Sequence, residues 1–129
     1  QIAARAHVAV DDAKIPTGTL VENTGTKFDL DALKPIGDAR FDDAWRLADD
    51  RQGPAVILRS PKTDVTLAID SDRNGVVVFT TNPAMDSDQM TAVAVEMQTL
   101  PDAINHADFG DIVLPANVMK TYQVTYDLI

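Results

Sequence analysis

Glu96 closes the run Thr91-Ala92-Val93-Ala94-Val95-Glu96-Met97-Gln98, and no other acid in the chain has so suggestive a setting. A strand turns successive side chains to opposite faces, so Val93, Val95 and Met97 point one way and Ala92, Ala94, Glu96 and Gln98 the other. One carboxylate therefore ends a row of small residues, and the missing bulk leaves room for a ligand beside it. Of the 20 acidic residues only Glu22 and Glu96 are glutamates, the other 18 being aspartates. The longer acid is rare here, and this one stands where reach counts. By pattern alone, a glutamate on a half-exposed strand is most often simply solvated.

Other groups capable of chemistry are few. Asp70-x-Asp72-x-Asn74-Gly75 mimics the first half of a calcium loop, but the twelfth position, where such a loop needs a bidentate Glu, is Thr81. A turn is the better reading of that segment. Trp45, the single tryptophan, suits a core position more than a platform for a ligand. The absence of cysteine excludes a disulfide scaffold, a thiolate zinc site and a Cys nucleophile in this chain.

The elements that position these residues are strands. Arg5 to Val10, Ala55 to Arg59, Val65 to Asp70, Gly75 to Thr80, Thr91 to Gln98, Asp111 to Leu114 and Thr121 to Leu128 are short apolar or alternating runs between Gly, Pro, Asn and Asp clusters. Asn74-Gly75 predicts a hairpin joining Val65–Asp70 to Gly75–Phe79, with positive φ supplied at the turn. Ile15-Pro16-Thr17-Gly18 reads as a rigid turn. Helical signal is thin: Asp31 to Ile36, limited by Pro35, and Pro101 to His106 each suit a single turn. Long connections at Leu20 to Phe41 and Asn82 to Met90 fit an all-β chain forming a large antiparallel β-sandwich, whose loops often build the site.

Composition narrows the function classes. A chain of 129 residues is at most one domain, and 45% hydrophobic content is ordinary for a globular protein. A net charge of −9, with no basic stripe to displace counterions from phosphates, argues against a nucleic-acid partner. No apolar run approaches the roughly 18 residues of a membrane span. No basic segment precedes an apolar one as in a signal peptide, so a cytoplasmic protein without a membrane partner is expected.

Three blocks carry a family resemblance. Glu96, Gln98, Pro101, Asp102, Ala103 and Asn105 spell Glu-x-Gln-x-x-Pro-Asp-Ala-x-Asn, followed by Phe109, Leu114-Pro115 and Thr121-Tyr122. Upstream stand Asp11-x-x-x-Ile15-Pro16-Thr17-Gly18 and Gly25-Thr26-Lys27-Phe28-Asp29, and between them and the first block Phe41-Asp42-Asp43-Ala44-Trp45. In this order they resemble the C-terminal part of the aldose 1-epimerase (galactose mutarotase) family. The resemblance spans nearly the whole chain.

That resemblance implies a supersandwich fold and conversion between the α and β anomers of an aldose of the galactose or glucose class, with no cofactor and no metal. It implies that Glu96 is the general base, because the Glu of Glu-x-Gln has that role in the family. Asp42 matches the Asp of an Asp-His pair that holds sugar hydroxyls, and Gln98 of the same motif as Glu96 is a second substrate contact. The His of the Asp-His pair is Asp43 here. Gly75-Val76-Val77-Val78-Phe79-Thr80-Thr81-Asn82 resembles Gly-Val-Gln-x-Tyr-Thr-Gly-Asn, with Val77 in place of a sugar-contacting Gln and Phe79 in place of Tyr. The family's catalytic histidines lie in upstream motifs, and His7 and His106 match neither of them, so both are expected to be structural or surface groups. The chain is accordingly expected to be the C-terminal portion of a single domain, residues 1–129, whose N-terminal portion supplies the general acid. The alternative is a non-catalytic carbohydrate-binding or structural β-sandwich.

Overall fold

A computed structural model describes residues 1–81 and 92–129. The elements are β1 (Ala4–Val10), β2 (Pro16–Glu22), β3 (Asp42–Leu47), β4 (Val56–Arg59), β5 (Thr66–Ser71), β6 (Gly75–Thr81), β7 (Ala92–Gln98), a 3-10 turn at Ala107–Phe109 and β8 (Val124–Leu128). They form an antiparallel five-stranded sheet in the order β2-β1-β3-β6-β7 and a three-stranded sheet β4-β5-β8. The expected all-β sandwich is the fold.

Period-two patterning explains the layers. In β3, Trp45 and Leu47 turn inward and are 0% and 1% exposed, whereas Asp42, Ala44 and Arg46 turn outward. Val76 and Val78 of β6 join them in the inter-sheet core with Ile2, Val56 and Ile69, and Val93, Val95 and Met97 pack against its side. Aromatic rings fill the end of this core. Phe41 meets Trp45 edge-on at 5.2 Å, and the indole N–H donates to the Phe28 carbonyl at 3.0 Å. His7 stacks on Phe28 at 3.7 Å and its Nδ1 lies 2.9 Å from Asn23 Oδ1. His7 is thus a satisfied core group.

The outer face of the large sheet carries a second, smaller core. Val8, Ala44 and Val77 pack there under Leu100, Ala103 and Phe109, so the segment that follows β7 folds back across its own sheet. Gly75 makes this possible: a Cβ there would come within 2.7 Å of Leu100 Cδ2. Covered on one side by the other sheet and on the other by this segment, β6 has an apolar run rather than clean alternation.

Four sequence expectations are corrected. Asn74-Gly75 does not close a hairpin, because β5 and β6 belong to different sheets and Gly75 is not among the positive-φ residues. The chain crosses between sheets there, held by Ser71 Oγ donating to the Gln123 carbonyl at 2.8 Å and by the Leu47 N–H donating to the Asn74 carbonyl at 3.0 Å. Pro16-Thr17-Gly18 is not a turn but the start of edge strand β2, where a proline as first residue forfeits no needed ladder donor. That strand also shortens the expected Leu20 to Phe41 connection. Asp111 to Leu114 form no strand; they are loop, with Val113 61% exposed. Asp31 and Ala32 bend and residues 33–36 are irregular, with no helical turn, while residues 101–105 do turn as expected. Thr91, Asn82 and the Asn82 to Met90 connection lie outside the described residues.

Candidate active site

Register across the β3-β6-β7 ladders decides which side chains share the outer face. Ala44, Val77 and Glu96 stand opposite one another in one row, and Asp42, Phe79 and Ala94 in the next. Arg46, Gly75 and Gln98 make a third row. Residues directly opposite on an antiparallel ladder point to the same side. Glu96 and Asp42 therefore share a face, on strands that flank β6.

The 100–109 segment covers only part of that face. It lies over Gly75, Val77 and Ala44 and leaves Asp42, Phe79 and Glu96 exposed, with Gln98 half-buried near its edge. The lateral distance between β3 and β7 is two ladder spacings, about 10 Å. Between the two carboxylates runs an apolar floor of Val77 and Phe79. Among the described residues, neither the Asp42 nor the Glu96 carboxylate has a hydrogen-bonding or ionic partner. Each is an acceptor able to take a proton or the hydroxyl hydrogens of a ligand.

The neighbouring acids and both histidines are otherwise engaged. Asp43 points to the inner side of β3 and lies 3.9 Å from Lys27 Nζ. His7 is opposite Trp45 and so faces the inter-sheet core, away from Glu96. His106 lies over β2, so close to Gly18 that a Cβ there would fall 2.5 Å from its Nδ1, and pairs with Asp102 at 3.1 Å. Since β2 and β7 are the two edges of the sheet, four ladder spacings or about 19 Å separate that imidazole from the strand of Glu96. Of the would-be calcium loop, Asp70 pairs with Arg51 at 3.2 Å and Asp72 accepts from the Gln123 N–H at 3.1 Å. No three acids or imidazoles gather for a metal ion among the described residues.

A second hollow lies on the opposite side of the large sheet. It is an apolar cavity of about 300 Å³ between the sheets, lined among others by Leu30, Ile36, Leu58, Val93 and Val95. It holds no pair of carboxylates and opens away from Glu96.

The aldose 1-epimerase family model matches residues 1–127. The chain belongs to the aldose 1-epimerase family. It is 41% identical to a maltose epimerase of Levilactobacillus brevis, over 92% of this chain and 39% of that protein. It is 32% identical to an aldose 1-epimerase of Streptococcus thermophilus, over 98% of this chain and 42% of that one. The fold agrees with the crystal structure of a GalM/aldose epimerase homologue from C. elegans, with a TM-score of 0.87 at 21% identity, covering all of this chain and 44% of that one. This chain thus spans about two fifths of the length of these relatives. Phe79, two residues after Val77 on the same face of β6, is that strand's one exposed side chain.

Proposed function

We propose that these residues form the C-terminal portion of a single aldose 1-epimerase domain, and that the complete protein interconverts the α and β anomers of a reducing sugar. The observation that carries the reading is the cross-strand register that puts Glu96 and Asp42 on one uncovered face, in a chain that belongs to this family. Glu96 is the general base. Its carboxylate takes the proton of the anomeric hydroxyl as C1–O1 becomes a carbonyl and the bond from C1 to the ring oxygen breaks, and an acid protonates the ring oxygen. Rotation about C1–C2 presents the other carbonyl face, and closure returns both protons. Asp42 and Gln98 hold the sugar hydroxyls.

The general acid comes from polypeptide outside these residues, because His7 faces the core and His106 sits at the far edge of the sheet. The relatives' greater length supplies room for it, and the apolar cavity beside Val93 and Val95 gives the rest of such a domain a surface on which to pack. The likeness to a maltose epimerase favours a glucose-terminated sugar, disaccharides included, as substrate.

Glu96→Gln in the complete protein tests the assignment, since it keeps shape and hydrogen bonding but removes the proton acceptor. Mutarotation followed by polarimetry should slow by about 100- to 10,000-fold. A rate within a few-fold of the parent would make Glu96 a bystander and favour a binding module without chemistry.

A further inference from the structure

We propose that the Phe79 ring is the platform on which the C–H face of the sugar lies, between the hydroxyl-binding Asp42 and Glu96, so that Phe79 is a binding residue of this site. The inference rests on the sugar-epimerising reading above and adds a residue that the acid–base chemistry does not require.

Within β6 the burial is uneven in an informative way. Gly75, Val76, Val78 and Thr80 are buried and Val77 and Thr81 half-buried, yet Phe79, the strand's largest side chain, is 43% exposed. A single exposed apolar residue is ordinary by itself. Its neighbours are what distinguish this one. Directly opposite on β7 stands Ala94, whose methyl is too short to cover the ring, and directly opposite on β3 stands Asp42. Glu96 is the diagonal neighbour on β7, at the separation of about 7–8 Å that long and aromatic side chains bridge. Phe79 thus lies between two exposed carboxylates, with Val77 continuing the apolar surface beneath Glu96.

A pyranose matches that arrangement in chemistry. Its rim carries hydroxyls, which donate to carboxylates, and its faces carry axial C–H groups, whose slight positive charge is attracted to the negative face of an aromatic ring. Covering Phe79 also removes apolar surface from water. The contact forms equally with the closed sugar and with the opening one, so it contributes uniform binding and lowers KM without raising kcat.

The test uses the complete protein. Phe79→Ala should raise KM for a reducing sugar by about tenfold, the worth of one aromatic contact, and leave kcat within a few-fold. Phe79→Tyr, which keeps the ring, should restore the parent KM. Methyl β-glucoside, which cannot open, serves as a binding probe by NMR. Its ring protons should move upfield on addition of the parent, of Phe79→Tyr and of Glu96→Gln, and should not move with Phe79→Ala. An unchanged KM and unchanged probe shifts in Phe79→Ala would overturn the platform, even if Glu96→Gln abolished turnover and so upheld the catalytic reading. Upfield shifts lost only in Phe79→Ala, alongside full activity of Glu96→Gln, would uphold the platform and sink the base.

Discussion

Asn74 donates a 2.7 Å hydrogen bond from its side-chain amide to the carbonyl of Phe109. Its side-chain oxygen accepts from the Leu100 N–H at 3.2 Å, so one residue at the crossing between sheets fastens both ends of the segment that roofs the outer face. That roof sets where the uncovered site begins.

Removing the fastening should therefore loosen a defined region. Asn74→Ala leaves a Phe109 carbonyl and a Leu100 N–H without their partner, at a cost of about 1–3 kcal/mol for a partly buried group. Chemical denaturation should show that loss, and the Leu100 amide should exchange with deuterium faster than in the parent. Unchanged stability together with unchanged Leu100 exchange would show that packing of Leu100 and Phe109 holds the roof unaided.

His7 offers a test in the main core. Asn23 Nδ2 donates to the Ala4 carbonyl at 3.2 Å, which turns Asn23 Oδ1 toward His7 and makes His7 Nδ1 the donor. His7→Leu should then destabilise by about 1–3 kcal/mol, since Asn23 Oδ1 is left buried without a donor. The double variant His7→Leu, Asn23→Leu removes both polar partners and should recover part of that loss in thermal melts. If the double variant were as unstable as the sum of the single changes, the hydrogen bond would have no special weight.

The loop after the roof carries an electrostatic prediction. Asp111 is held below the ordinary carboxylate value of 3.8 first by the hydrogen bond from Lys120, then by the Val113 N–H, with the Lys120 charge adding to them. A depressed folded value means that the pair contributes stability above pH about 4 and loses it as pH falls through the folded value. Lys120→Met should move the Asp111 carboxyl midpoint upward in an NMR titration, while the melting temperature at neutral pH barely changes, because an exposed pair is worth little. A midpoint that stayed where it was would assign the depression to Val113 alone.

Much of this fold is legible in the residues, and the failures have physical causes. The runs around β1, β4, β5, β6, β7 and β8 show themselves through β-branched content between breakers. Asp42–Leu47 escapes notice as a strand because three of its six residues are charged, and one of these, Asp43, shares the inner face with Trp45 and Leu47, which breaks the apolar alternation. Pro16 and Gly18 disguise β2, since an edge strand tolerates residues that a central one does not. Asn74-Gly75 misleads in the opposite direction. Gly75 is there to let Leu100 approach, and that need comes from a residue 25 positions later which no local pattern records. For the site, alternation in β7 already puts Glu96 opposite the valines. The placement of Asp42 beside it depends on β6 lying between β3 and β7, a fact of topology rather than of spacing.

The pairing of β5 with β8 has a consequence for how the chain reaches this state. Leu67 lies opposite Leu128 and Ser71 opposite Val124, so the small sheet joins segments more than fifty residues apart. Contacts so distant must repay loop-closure entropy before they stabilise anything, which makes folding slow. During synthesis β5 is exposed on that flank until residue 128 has left the ribosome, and for that interval Leu67 and Ile69 present an unpaired edge. Of the aspartates flanking that edge, Asp64 is paired with Arg59 and Asp70 with Arg51, so charge there is largely balanced and the arrival of β8 itself is what protects the strand from pairing with another copy.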